Sequence, residues 1–303
     1  MVDTQALLFI YAVLGIILNK TGLFAPRYRE SYVRFLINVT LPCMILASFL
    51  SADARNALRD SGVMIMISTG ILLAALFISK IIWKKIDRRR QSVLTFGTLF
   101  SNAGNAGLPV VSLVYGDVGV MFASMYLLPV RILMWTVGVG LYMDEADGKK
   151  TAIALLKNPS VMVVFLGVFM MLLGIELPGV AMQAVKSIGN ITLPLSMMIV
   201  GAVLSETSLK SICNRASFLL SFMRLIVIPG ALLLILWALN VPSLLSAVAV
   251  TLTAMPAASN TAILAERYGA DAGFASGCVF LSTVLSLATV PAITYLLACI
   301  WQI

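Results

Sequence analysis

The chain has 303 residues, 60% of them hydrophobic and only 11% charged, with a mean hydropathy of +1.02. That balance excludes a water-soluble globular domain and makes lipid the solvent for most of the chain. The net charge of +8 does not call for nucleic acid as a partner, because Lys and Arg gather in short loops between apolar runs.

The first apolar run, Ala6 to Leu18, follows Asp3 without a basic leader and has no small-residue cleavage site before Lys20. It reads as a first span and not as a removed signal peptide. A helix needs about 20 mostly apolar residues to cross the hydrocarbon layer, at about 1.5 Å of rise each. Ten segments qualify, near 5–20, 33–51, 61–83, 93–115, 119–142, 159–177, 183–205, 216–239, 243–265 and 272–300. Cys43, Cys213, Cys278 and Cys299 are scattered among them without a CxxC pair, so no disulfide framework or zinc site is expected.

Positive residues should fall in every second loop of a correctly counted set of spans. Lys20, Arg27, Arg29 and Arg34 follow span 1, and Lys80, Lys84, Lys85, Arg88, Arg89 and Arg90 follow span 3. Lys149, Lys150 and Lys157 follow span 5, Lys210 and Arg215 follow span 7, and Arg267 follows span 9. The opposite side holds Arg55, Arg59 and Lys186. The expectation is an inner-membrane protein with both termini outside the cytoplasm. The Lys84 to Arg90 cluster reads as a cytoplasmic anchor, with a patch for anionic lipid or nucleic acid as the other reading.

Asn38-Val39-Thr40-Leu41-Pro42 in span 2 recurs as Asn190-Ile191-Thr192-Leu193-Pro194 in span 7, 152 residues on and half the chain away. Residues 1–150 and 151–303 then hold five spans each, and an odd number turns the second copy over. The fold expected is all-α and polytopic, with ten transmembrane helices in two inverted five-helix repeats.

Spans 4 and 9 are both interrupted, by Ser101-Asn102-Ala103-Gly104-Asn105-Ala106-Gly107-Leu108-Pro109 and by Ala254-Met255-Pro256-Ala257-Ala258-Ser259-Asn260-Thr261. Proline removes a backbone donor and clashes with the preceding turn, so each span is expected to open into two half-helices near the midplane. Half-helix N-termini suit an anion, and Asn side chains both donate and accept. Corresponding breaks in inverted halves point to a binding site in a secondary transporter. The candidate ligand residues are Asn102, Asn105, Gly107, Pro109, Pro256 and Asn260. Packing by the small residues, with tolerated proline kinks, is the structural alternative. Asn38, Thr40, Pro42, Asn190 and Pro194 serve either as scaffold kinks or as supporting contacts.

These motifs, together with Ala265-Glu266-Arg267-Tyr268-Gly269, Lys157-Asn158-Pro159-Ser160, and Arg224 followed by Pro229, resemble the auxin efflux carrier family. That family lies within the larger group of bile acid and sodium symporters. The resemblance covers the whole chain. It implies that broken spans 4 and 9 cross at their prolines in a mobile transport domain, which moves elevator-like against a scaffold that forms a homodimer. Asn102 and the backbone around Pro109 and Pro256 would face the substrate. Plant auxin exporters carry a further proline where this chain has Thr261, and a longer cytoplasmic loop. That departure points away from auxin, and the resemblance to bacterial members of the family, associated with dicarboxylates, implies malonate or malate instead.

Arg131 lies well inside span 5, at a cost of about 2.5 kcal/mol or more, and is expected to hold a substrate carboxylate. Snorkelling or bonding to helix-end carbonyls is the alternative. Arg224 of span 8 is expected to snorkel or to make a structural bond. No Asp or Glu falls in the middle of a span and the chain has no histidine, so no buried proton relay is expected apart from Glu266 at the end of span 9. Uniport of an anion, or sodium coupling through oxygens such as those of Ser101, Ser259 and Thr261, fits better than proton coupling. No cofactor, metal site or enzymatic chemistry is expected. The competing functions are a sodium-coupled symporter of the bile acid type, an auxin-like monocarboxylate exporter and, from a different class, an anion channel.

Overall fold

A computed structural model of the chain describes residues 2–51, 54–142, 159–206 and 214–302. Lys149, Lys150, Lys157, Asn158, Lys210 and Cys213 lie outside them. Every apolar segment is helical, whole or in two pieces. In chain order the α-helices are α1 (Val2–Lys20), α2 (Pro26–Phe35), α3 (Leu41–Leu50), α4 (Ala54–Ile82), α5 (Arg88–Leu99), α6 (Leu108–Leu133) and α7 (Pro159–Leu173). They continue as α8 (Gly179–Asn190), α9 (Thr192–Glu206), α10 (Arg215–Phe222), α11 (Ile228–Ala238), α12 (Ser243–Thr253), α13 (Asn260–Arg267) and α14 (Ala272–Trp301). Among the described residues the only β-type pairing is a single antiparallel bridge between Ser101 and Ala257.

Among the described residues, six helical runs are long and apolar enough to cross a membrane: Glu30–Leu50, Arg59–Ile82, Ala103–Gly138, Gly179–Val203, Arg215–Ala238 and Ala272–Trp301. Shorter apolar helices cover Phe9–Lys20, Val161–Leu173 and Ser243–Thr253. The chain is a multi-pass membrane protein. The longest of these runs is not straight, because Gly116 adopts φ 64° and ψ −161° inside it and turns the chain between spans 4 and 5.

Prolines shape three of the remaining irregularities. The π-turns Leu36–Thr40, Ala103–Gly107 and Met223–Val227 each end two residues before a proline, Pro42, Pro109 and Pro229 respectively. A proline ring crowds the carbonyl one turn back and offers that carbonyl no N–H. Widening the preceding turn to i→i+5 bonding relieves both problems without breaking the helix. Polar α2, with Arg27, Arg29, Glu30 and Arg34, leads directly into the span-2 helix, so that helix begins well before the apolar run.

The chain divides into two compact units, and each draws residues from both sequence halves. One comprises Met1–Val63, Leu108–Met125 and Leu156–Thr207. Its interior rests on backbone-to-backbone contact. A Cβ on Gly15 of α1 would fall on the Met198 carbonyl of α9, and a Cβ on Gly201 of α9 would fall on the Ala12 carbonyl of α1. Close approach of small residues is how helices pair where lipid removes the hydrophobic incentive to associate. Asn19 Nδ2 adds a 2.7 Å bond to Ser205 Oγ along the same pair. Gly189 of α8 meets the Met44 backbone of α3, where a Cβ would lie 2.9 Å from the Met44 Cα. The second unit comprises Met64–Gly107, Tyr126–Leu155 and Ser208–Ile303. Its buried cluster joins Trp83, Val93, Leu94, Leu220, Ala265, Ala275 and Cys278.

Candidate functional site

The breaks in spans 4 and 9 meet in the second unit. Helix α5 ends because Phe100 turns extended, at φ −110° and ψ 116°. Helix α12 ends at Thr253, two residues before Met255, which the following Pro256 biases out of the helical region. The two frayed strands then pair antiparallel over a single bridge between Ser101 and Ala257. Asn102 N–H donates to Pro256 O at 2.8 Å, and Ala258 N–H donates to Phe100 O at 3.0 Å. Ser101 and Ala257 thus form a non-hydrogen-bonded pair, the closer of the two antiparallel arrangements.

Opening two helices in one place exposes polar backbone, and several of the exposed groups have an identifiable partner. Ser101 Oγ donates to Leu252 O at 3.0 Å, and Ala257 N–H donates to Ser282 Oγ at 3.2 Å. Thr261 Oγ1 donates to Ala258 O at 2.6 Å. Asn102 O accepts from both Ala106 N–H and Gly107 N–H, starting the trailing half of span 4. Tyr126 and Thr253 share a hydroxyl bond of 2.8 Å behind the crossing.

The two intramembrane arginines meet opposite ends of these half-helices. Arg224, only 4% exposed, donates from Nη1 to Thr98 O at 2.8 Å and from Nε to Met255 O at 3.4 Å. Both acceptors lie at the carbonyl ends of the leading halves, where the helix dipole is negative and a cation is favoured. Arg131 stands instead at the trailing half of span 4, with Nη2 3.8 Å from where a Cβ on Gly104 would sit. One helical turn further on, Met134 Sδ accepts a 3.2 Å contact from Nδ2 of Asn260, the first residue of α13. One face of the span-5 helix therefore meets the start of both trailing half-helices. Such helix starts carry partial positive charge, although in α13 Thr261 N–H and Ala262 N–H already donate to Ala258 O at 2.9 Å and Ser259 O at 3.2 Å. Among the described residues, the Arg131 side chain has neither an ion pair nor a hydrogen-bond partner.

A family model described as membrane transport protein matches residues 2–152 and 148–294. The chain belongs to the auxin efflux carrier family. It is a membrane transport protein, and its relatives are named accordingly. An uncharacterized transporter of Methanothermobacter thermautotrophicus is 26% identical, over 95% of this chain and 96% of that protein. Uncharacterized transporter MJ1031 of Methanocaldococcus jannaschii is 22% identical over 94% and 95%. Uncharacterized transporter YfdV of Escherichia coli is 21% identical over 94% and 93%.

Of the residues singled out in the carrier's sequence, Ser101, Asn102, Asn105, Gly107, Arg131, Arg224, Pro256, Ser259, Asn260, Thr261 and Glu266 all belong to the second unit. Asn102, Asn105, Arg131 and Asn260 are half-buried, Pro256 and Gly107 are buried, and Ser259 and Glu266 are exposed. Gly107 is tightly enclosed, since a Cβ there would lie 2.9 Å from Leu252 Cδ2. Pro109 is buried at the start of α6. Asn38, Thr40, Pro42, Asn190 and Pro194 belong to the first unit, with both asparagines exposed. Thr40 is buried and bonds back to Leu36 O at 3.2 Å, inside its π-turn.

Sequence reasoning passed over Met134, Tyr126, Thr253 and Ser282. Only Met134 left a trace there, as the residue one turn beyond Arg131 on the same helical face.

Proposed function

We propose that this carrier is a secondary transporter of small organic anions, with dicarboxylates such as malonate and malate as its substrate class, and that the anion binds at the crossing beside Arg131. The observation that carries this reading is a cation facing the positive ends of half-helices without a counter-charge. Arg224 has its negative partners in the carbonyl ends of the leading halves. Arg131 has none among the described residues, and a carboxylate would supply one while accepting N–H bonds from the trailing halves. Nearby Asn102, Asn105 and Asn260 offer neutral donors and acceptors for a second polar group.

The location also suits transport. At about 1.5 Å per residue, α5 beyond Arg90 and the whole of α12 span roughly 14 to 17 Å, about half of a hydrocarbon layer some 30 Å thick. The crossing then falls near the midplane, where alternating access needs its site. Ten spans in two inverted halves, with 1–150 and 151–303 as the repeats and both termini outside the cytoplasm of a bacterial inner membrane, are the topology that accompanies this reading. The crossing and Arg131 lie within one compact unit, as an elevator-like step requires, and a homodimer would anchor the other. No cofactor enters the scheme. Export of an anion from a negative interior gains about 2.3 kcal/mol per charge per 100 mV, so coupling to sodium or protons is not required.

The deciding experiment is malonate counterflow in proteoliposomes. Internal malonate should accelerate uptake of labelled malonate, uptake should saturate, and Arg131→Gln should abolish both. Linear flux of channel magnitude, indifferent to internal malonate, would sink the carrier reading. Normal counterflow in Arg131→Gln would remove the site.

A further inference from the structure

We infer that Arg224 is a positioning residue of the anion site, clamping the carbonyl ends of both leading half-helices and so setting the angle at which the trailing half-helices bring their N-termini to Arg131. The inference rests on the anion-site reading above.

Little main-chain bonding holds the crossing together. Two amide–carbonyl bonds join the broken spans, Asn102 to Pro256 and Ala258 to Phe100, and each contributes only modestly net of its lost hydration. That pair of bonds around one bridge, with Ser101 Oγ on Leu252 O at 3.0 Å beside it, fixes the two axes close to one point of contact. Arg224 adds contacts outside that point. Its acceptors are Thr98 O, two residues before Phe100, and Met255 O, immediately before Pro256. The guanidinium therefore grips each chain just upstream of its bridging residue.

Thr98 is itself anchored, because its Oγ1 accepts from Trp83 Nε1 at 3.0 Å and donates to Leu94 O at 2.7 Å. A planar fork with several fixed donors can hold two carbonyls at a set separation, whereas an ammonium on a flexible stem cannot. Among the described residues Arg224 pairs with no carboxylate, so helix-end carbonyls supply its compensation. It is 4% exposed, so it acts on the anion only through the half-helices.

The test compares Arg224→Lys and Arg224→Met with wild type in detergent and in proteoliposomes. Methionine keeps the volume without the charge, an exchange that buried sites often tolerate. Three quantities are read: melting temperature without malonate, the malonate-induced rise in melting temperature, and KM and kcat for malonate counterflow. A positioning role predicts folded variants whose KM rises about tenfold or more and whose malonate-induced shift shrinks in proportion, with lysine restoring little. A lowered melting temperature with wild-type KM would mean that Arg224 is only structural and would overturn the inference. If wild type shows no malonate response, or Arg131→Gln retains it, the site reading itself fails. That pattern is distinct from a loss confined to the Arg224 variants.

Discussion

The backbone N–H of Asn102 donates to the carbonyl oxygen of Pro256 at 2.8 Å, joining the break in span 4 to the break in span 9. Each residue suits its side of that bond. Proline ends the leading half of span 9 and has no N–H of its own to satisfy, so only its carbonyl requires a partner. Asn102 donates outward across the crossing and accepts inward, through its own carbonyl, from the first turn of the trailing half-helix. The anion site proposed above stands on this joint, and its charge logic can be probed from several directions.

A carboxylate built into the protein should compete with the substrate. The space in front of Gly104 opens toward Arg131 Nη2 at 3.8 Å, so the side chain of Gly104→Asp reaches the guanidinium, and an acid in the first turn suits the helix dipole. The Gly104→Asp protein should fold with unchanged or raised melting temperature and show little malonate-induced shift. Gly104→Asn, equal in size but neutral, should keep most of that shift. Equal responses from the two variants would contradict the charge argument.

Removing the uncompensated cation should separate stability from binding. Wild type without malonate bears the cost of an intramembrane charge, about 2.5 kcal/mol or more for an arginine at a helix centre. Arg131→Gln should therefore melt at the same temperature as ligand-free wild type or higher, and should lose stabilisation by malonate, which acts by mass action on the folded state. Differential scanning fluorimetry with and without malonate measures both effects. A marked fall in ligand-free melting temperature would show that Arg131 is needed to hold the fold.

The contact between α1 and α9 predicts strong intolerance of size. A methyl group on Gly15 or Gly201 meets a backbone carbonyl, which cannot rotate aside as a side chain can. Gly15→Ala and Gly201→Ala should each destabilise the protein by about 1 to 3 kcal/mol, and valine by more. Gly62→Ala is the control. Nothing lies within 4 Å of a Cβ there, so the substitution should be neutral or stabilise by up to about 1 kcal/mol through its higher helix propensity. Thermal melts of the three alanine variants settle the comparison.

Asp271, at the start of α14, provides a pH-dependent contribution. Its carboxylate accepts the Phe274 N–H at 2.9 Å and pairs with Arg90 Nε at 2.9 Å. The backbone bond first and then the guanidinium hold its pKa below the usual carboxylate range. A depressed folded-state pKa means that the stabilisation is present above the unfolded value, about 3.9, and is lost as pH falls through the folded one. An asparagine at this position would keep the helix cap but not the ion pair. Asp271→Asn should therefore melt slightly below wild type at neutral pH, and the two curves should converge as pH falls below about 4. A difference independent of pH would refute the linkage.

Much of this was legible in the residues themselves. Apolar run lengths marked the helical segments, and the Gly, Asn and Pro content of 101–109 and 254–261 marked the breaks, because both signals act within a few residues of where they are written. The form of the breaks was not legible. The Ser101–Ala257 bridge joins residues 156 positions apart in the chain, and no local preference encodes that register. Arg224 stood out as an intramembrane charge, yet its acceptors are main-chain carbonyls, which every residue possesses and none advertises. Polar α2 escaped notice because Pro26-Arg27-Tyr28-Arg29-Glu30 has no apolar run, although proline at a first helical position is a favourable start.

Because the two broken spans are fastened by main-chain bonds, by Ser101 and by the Arg224 clamp, the joint does not depend on the side chains of Asn102, Asn105 or Asn260. Asn102, Asn105 and Asn260 can be exchanged for other residues without removing the bonds that make the cross. The frame and the selectivity of the carrier are therefore separately editable. Altered cargo is best sought by combinatorial libraries at those three positions, leaving Pro256, Arg224 and the glycines as they stand.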